Sequence, residues 1–172
     1  MIKVGLQLLA TDENRKKNAN VKYEIAKIGE DEEFVWLAKY IQDITPSAND
    51  ETEDTGFYDG DGTLVTEVIG SKYTYEVSGY RDINDEAQNL IAGLRHEIGD
   101  ARKIILKVTK LNGEIETGEA TVSNIVDEGG PATEFAPFSC TISRNSKPEI
   151  TAPELPPELP GAGDGSGETG EG

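Results

Sequence analysis

Hydrophobicity in this chain alternates with a period of two, and no other feature constrains the fold as much. Tyr73, Tyr75 and Val77 fall on one side of a run whose other side is Lys72, Thr74, Glu76 and Ser78. Ile104, Leu106 and Val108 alternate with Ile105, Lys107 and Thr109, and Phe138, Cys140 and Ile142 with Ser139, Thr141 and Ser143. Ala120, Val122 and Asn124 alternate in the same way with Thr121, Ser123 and Ile125. Successive side chains of a strand point to opposite faces, so each run predicts a strand with one apolar and one polar face. That is the pattern of antiparallel sheet packed on one side and wet on the other. Asn112-Gly113, between two such runs, predicts a tight hairpin.

One helix breaks the pattern. Asp82 is its expected cap, with Asp85 three residues later in a capping-box-like position. Ala87, Leu90, Ile91, Leu94 and Ile98 then fall on one helical face, and Gly99 supplies a left-handed stop. Gly93, inside the helix, costs about 1 kcal/mol relative to alanine; it either admits a close approach to a sheet or has no structural role. Phe34–Ile41 reads as a strand with two largely apolar faces, although the acids Glu30 to Glu33 before it would favour a helix start.

Two segments lack apolar periodicity. Ile44 to Gly62 is acidic and reads as a long loop, either disordered alone or ordered by a partner. Its Asp59-Gly60-Asp61-Gly62 only superficially resembles a calcium loop. With Gly62 at the sixth loop position, Phe57 and Val68 occupy the end positions where carboxylates are required. A solvated turn is the expectation, and loose collection of divalent ions by the acids from Asp50 to Asp61 stays open. From Thr151 the chain turns to proline, then to glycine and acid, with no aromatic residue and no basic one. Nothing there repays the entropy of ordering. The expected organisation is a single β domain over 1–150 and a disordered tail over 151–172.

Charge and chemistry narrow the function. At 172 residues and a formal net charge of -17, the chain repels nucleic acid and anionic membrane. The single cysteine, Cys140, excludes an internal disulfide and sits in a strand-like run as a small core residue. The apolar start at Met1–Leu6 is too short for a signal peptide, and no run approaches a membrane span, so a soluble protein made in a reducing cytoplasm is expected. The only histidine, His96, lies near the end of the expected helix and reads as a surface residue. No Cys-His pair, histidine pair or phosphate-binding glycine loop is present, so no enzyme, cofactor or metal is expected.

The ordered features resemble a known family. Gly62–Gly70 followed by Lys72–Tyr80, then Asp85–Ile91, Gly99–Lys103 and Phe135–Ile142, is similar to the major tail (tail tube) proteins of siphophages over roughly Thr55 to Lys147. The resemblance implies a mainly β fold with one flanking helix, an antiparallel β-sandwich or rolled barrel of the phage tail-tube type. It implies six copies per ring, with inner sheets joined around a lumen and rings stacked into the conduit for DNA delivery. The partners it implies are the chain itself, the tape measure, the tail terminator and the distal tail protein, with DNA passing unbound and no membrane involved. The implied place is the virion tail, assembled in the host cytoplasm. Polar strand faces would then line the lumen, with Glu76, Lys107, Glu119 and Thr141 as candidates and acid outweighing base. Asn49, Asp50, Glu51, Glu53, Asp54, Phe57 and Tyr58 are the candidates for contact between rings. Two other readings stand beside it. One is the inner tube of a contractile tail or phage-derived particle. The other is a monomeric acidic β domain that binds carbohydrate or calcium. A hydrolase is weaker, for want of a nucleophile–base pair.

Overall fold

The computed structural model describes residues 15–29 and 33–153. The tail expected to be disordered lies outside them beyond Pro153, as do most of the acids before Phe34. Among the described residues the elements are a short 3-10 turn at Asn18–Asn20, β1 (Lys22–Lys27), β2 (Val35–Trp36), β3 (Ile41–Gly56), β4 (Leu64–Tyr80), α1 (Glu86–Gly93), a second 3-10 turn at Gly99–Arg102, β5 (Lys103–Thr109), β6 (Ile115–Val126), β7 (Pro137–Arg144) and β8 (Glu149–Thr151). All strand pairs are antiparallel, in one sheet of order β2-β1-β5-β6-β7-β4-β3, with β8 added to the start of β6. The fold is thus mainly β with one helix, as the alternation predicts.

The sheet is curled. β5, β6 and β7 lie between β1 and β4 in the strand order, so Tyr23 and Tyr75 would stand about 19 Å apart in a flat sheet. Their rings are instead 5.8 Å apart, edge to face. The curl encloses the apolar faces: Ile25 from β1, Ile104, Leu106 and Val108 from β5, Ala120 and Val122 from β6, Phe138, Cys140 and Ile142 from β7, and Tyr75 and Val77 from β4 form one cluster. The alternation fails at one of its predicted points. Asn124 takes a left-handed φ of 51° at an irregularity between Ser123 and Val126. It therefore stays exposed, and Ile125 packs on the core in its place.

The helix closes one end of the roll, and its bounds differ from the expectation. Asp85, not Asp82, is the N-cap, its carboxylate accepting from the Gln88 N–H at 2.8 Å. Asp82 instead braces the preceding turn, through the Asn84 N–H at 2.9 Å and an ion pair with Lys39 at 2.7 Å. The helix ends at Gly93. Ala87 and Ile91 enter the core, and Ile98 lies beyond the helix, 87% exposed. Gly99 does adopt a positive φ of 63°, but it starts the second 3-10 turn. Arg102 satisfies the carbonyls of Arg95 and Glu97 past the helix end, at 2.6 and 2.7 Å. Gln88 anchors the helix to the sheet. Its Nε2 donates to the carbonyls of Lys39 (2.8 Å) and Tyr80 (3.1 Å), and its Oε1 accepts from the Asp82 N–H (2.7 Å). The apolar run Phe34–Ile41 is only partly strand. β2 covers Val35 and Trp36, and the chain then turns at Lys39 and Tyr40 into β3.

Two glycines separate crowding from propensity. A Cβ on Gly79 would sit 2.2 Å from the Tyr40 carbonyl oxygen and 2.8 Å from the Ile41 Cα. A Cβ on Gly93 would meet nothing within 4 Å. Gly79→Ala should therefore destabilise the protein by about 2 kcal/mol or more, whereas Gly93→Ala should be neutral or stabilising by about 0.5 kcal/mol. Urea denaturation of the two variants reads both.

Candidate assembly surface

The acidic stretch expected as a loop is a strand. β3 runs from Ile41 to Gly56 and pairs with β4 along its whole length. What makes it a strand is its partner. Leu64–Lys72 needs a hydrogen-bonded neighbour, and the acids of β3 meet hydroxyls across the ladder. Asp54 accepts from Thr66 Oγ1 and Asp50 from Ser71 Oγ, both at 2.6 Å, while Asn49 Nδ2 donates to the Lys72 carbonyl at 3.1 Å. The low strand propensity of Asp, Glu, Asn and Pro hid this pairing. The Thr and Ser residues of β4 opposite Asp50 and Asp54 were the available signal. Asp59-Gly60-Asp61-Gly62 is the hairpin turn, as its solvated-turn reading anticipates. The Gly60 N–H bonds the Phe57 carbonyl at 3.2 Å, the Thr63 N–H bonds Asp61 at 3.0 Å, and Gly62 has φ 89°.

The last β4 residue to pair with β7 is Thr74, opposite Ser143. Beyond it, Ala48–Gly56 and Leu64–Tyr73 pair only with each other, forming a two-stranded arm that projects about 30 Å from the body. Its strands differ in chemistry. Asp50, Glu51, Glu53 and Asp54 lie on β3, whereas Leu64, Val65, Val68 and Ile69 on β4 are at least half exposed, and Phe57 and Tyr58 stand open at the turn. Glu53 faces Glu67 directly, a repulsive cross-strand pair. A lone two-stranded ribbon is marginally stable in water, and large apolar side chains left exposed on both of its faces mark it as a contact element. All seven candidates for contact between rings therefore lie on this arm or at its tip.

Glu76, Lys107, Glu119 and Thr141 share the face of the sheet opposite the core. Glu76 lies directly across from Thr141, which lies across from Ser123. This face is mixed in charge, not dominated by acid. Lys107 pairs with Glu24 at 3.1 Å and covers the Phe34 ring at 4.1 Å. Glu119 pairs with Lys103 at 3.3 Å and accepts from Asn145 at 2.8 Å. Among the described residues Glu76 has no ion pair. Hydroxyls fill the rows between, including Thr74, Ser78, Thr121 and Ser143.

A polar plug closes the arm end of the core. Arg144 is 4% exposed at its side chain. It donates to Glu116 at 3.3 Å and to the Tyr75 hydroxyl at 3.4 Å, and Lys110 reaches Glu116 at 3.0 Å. Burial opposes the Lys110 charge, but the Glu116 carboxylate holds its pKa above the usual lysine value. Cys140 is buried, and desolvation pushes its thiol up to about 12, so it is inert core as expected. His96 is exposed, taking a hydrogen bond from Arg95. No group of three His, Cys, Asp or Glu among the described residues is placed to hold a metal ion.

The chain matches no protein-family model and no curated protein sequence. Solved structures do resemble it. The tail of an empty GTA particle with C6 symmetry superimposes with a TM-score of 0.61 at 16% identity, over 80% of this chain and 100% of that one. The virion of a native gene transfer agent particle gives 0.58 at 18%, over 80% and 100%. The cap terminating the anti-feeding prophage tube gives 0.51 at 13%, over 86% and 99%.

Glu24 makes this face sensitive to pH. Burial raises its pKa, but hydrogen bonds and charge from Lys22 (2.8 Å) and Lys107 (3.1 Å) outweigh that and hold it below the usual value. A carboxylate with a lowered folded pKa stabilises the fold fully above its unfolded pKa of about 4.3, and loses that stabilisation as pH falls through the folded value. Glu24→Gln should cost about 1 kcal/mol at pH 7 and weaken the acid destabilisation below pH about 4.3, read as urea midpoints at pH 7 and pH 3. The mainly β fold with one flanking helix is thus shared with the GTA tail and virion chains and with the anti-feeding prophage tube cap, in line with the tail-tube resemblance of the sequence.

Proposed function

We propose that this chain is a structural virion protein, a tail tube subunit that forms stacked rings and makes a conduit for DNA. The observation that carries the reading is the arm, a paired hairpin with exposed apolar side chains beyond the body, on a fold matched along the full length of a C6-symmetric tail chain. The C6 symmetry of that tail supports six copies per ring. The outer edges of β2 and β3, unpaired among the described residues, give each subunit a place to join its neighbours. The arm supplies the contact between rings, which covers the exposed apolar side chains of β4. Such a subunit works with itself and with the proteins that set, end and cap the tail, and its place is the virion tail after assembly in the host cytoplasm. No step requires an enzyme, and loose divalent-ion binding adds nothing to the reading.

A second reading, the cap of a phage-derived tube, is supported by the anti-feeding prophage match, which covers more of this chain at a lower TM-score. A cap ends a tube and a tube subunit repeats, so polymerisation of the purified protein separates the two.

On this reading the face carrying Glu76, Lys107, Glu119 and Thr141 lines the lumen. Lys107 and Glu119 are neutralised by partners, so the wall is a hydroxyl-rich, ion-paired surface with Glu76 as unpaired acid. DNA slides on it because no net positive charge accumulates phosphate contacts.

The arm is tested by excising Asp50–Ser71 and joining Asn49 to Lys72, which already face each other, through an Asn-Gly turn. Deleting only Asn49–Asp54 would strip β4 of its partner and confuse folding with assembly. The excised protein should keep the cooperative urea unfolding of the body and form no tubes under negative stain; normal tubes would refute the role given to the arm. For the lumen, Glu76→Lys with Glu119→Lys should leave tubes intact. Ejection of DNA should slow, and more so at low salt. Unimpaired ejection from intact tails would remove the electrostatic part of the mechanism.

A further inference from the structure

The curled sheet does not close on itself. Its end strands are β2 and β3, and between them lies an open groove of about 470 Å³, lined chiefly by Val21, Tyr23, Trp36, Leu37, Ile41 and Ile44. Apolar side chains form its floor, Asn18, Gln42 and Asp43 also line it, and Trp36 on its rim is 56% exposed. Along it runs the outer edge of β3, which pairs with no strand among the described residues. An unpaired edge beside an apolar trough needs one more strand with apolar side chains on alternate residues.

The chain carries such a segment where it enters the body. Asn18 and Ala19 themselves line the groove. Upstream of them, outside the described residues, Ile2, Val4, Leu6 and Leu8 alternate with Lys3, Gly5 and Gln7. We propose that residues 2–8 of the same chain add to the free edge of β3 as a strand and lay Ile2, Val4, Leu6 and Leu8 into the groove. The reach is sufficient. Residues 9–17 span up to about 30 Å when extended, and the groove edge Ile41–Pro46 is about 20 Å long. Charge agrees as well, because the alternate side chains Lys3 and Gln7 then lie on the face that carries Asp43 and Thr45. The short connection makes docking intramolecular, at an effective concentration near millimolar, so the segment's own groove outcompetes that of a second copy in dilute solution. In this state the segment shields an edge that would otherwise aggregate, and assembly has to displace it or build on it.

The test uses the full chain at a concentration where it is unassembled, so its outcome is independent of the tube reading. Hydrogen exchange is compared with a variant lacking residues 2–9. Backbone amides within Ile41–Pro46 should exchange at least about tenfold more slowly in the full chain; equal exchange would overturn the proposal. If the shortened chain does not fold, disulfide trapping in the full chain decides. Ile44→Cys is paired in turn with Val4→Cys, Leu6→Cys and Leu8→Cys, while the native Cys140 is buried and does not compete. A monomer-sized cross-linked product from any of these pairs is expected. Disulfide-linked dimers alone would assign the groove to a second copy, and the absence of any cross-link would leave the segment without a place there; either result overturns the proposal.

Discussion

The length of β4 governs this structure. It is a 17-residue strand, about 56 Å long, while the neighbour that ties it into the body, β7, pairs only with Thr74–Tyr80. One continuous strand therefore serves two environments. Its second part places Tyr75 and Val77 in the core, and its first part has no body to join. An extended strand in water needs a partner for its backbone groups, so β3 must match it residue for residue even where its sequence is almost all acid and amide. The arm, its exposed apolar side and the concealment of an acidic strand as a loop all follow from that mismatch.

Within the body, curling does what a second sheet would do in a sandwich. Each strand has one apolar face, and rolling the sheet turns those faces on one another until Tyr23 and Tyr75 meet. The helix fills one end and the Arg144–Glu116–Lys110 group the other. Both ends are polar devices, and they are satisfied to different degrees. Gln88 is wholly buried with both ends of its amide bonded, so it fixes the helix against the Lys39 turn without an unmet donor. Arg144 Nη1 is buried with no hydrogen-bond partner among the described residues, so this end is the less fully satisfied of the two. The well-satisfied end lies away from the arm, and the less satisfied end sits at its base.

The sequence made the core strands legible because each buries one face and keeps the other wet, the condition under which a period of two survives. It concealed what depends on partners distant in sequence. Asn124 and Ile125 exchange roles through one left-handed residue, a backbone event with no compositional mark. The helix looked longer than it is because Ile98 keeps the helical spacing, although Arg102 caps carbonyls already released. Glu76, Lys107, Glu119 and Thr141 share one face of the sheet, since alternation decides faces. Their charge balance was not readable, because Lys103 and Glu24, which neutralise Glu119 and Lys107, come from other strands or across a register that only the sheet order supplies.

The acidity of the chain acquires a specific role in this geometry. An exposed β ribbon with a free outer edge and an apolar strand is a template for aggregation. On the arm, Asp50, Glu51, Glu53 and Asp54 put charge along the free edge of β3, and Glu53 opposite Glu67 keeps the ribbon from being comfortable alone. Like charges resist indiscriminate pairing between arms, while the apolar residues of β4 still reward the one arrangement that covers them and leaves the acids in water. A repeating assembly built from a single chain needs that discrimination, because each contact it uses is presented by every copy at once.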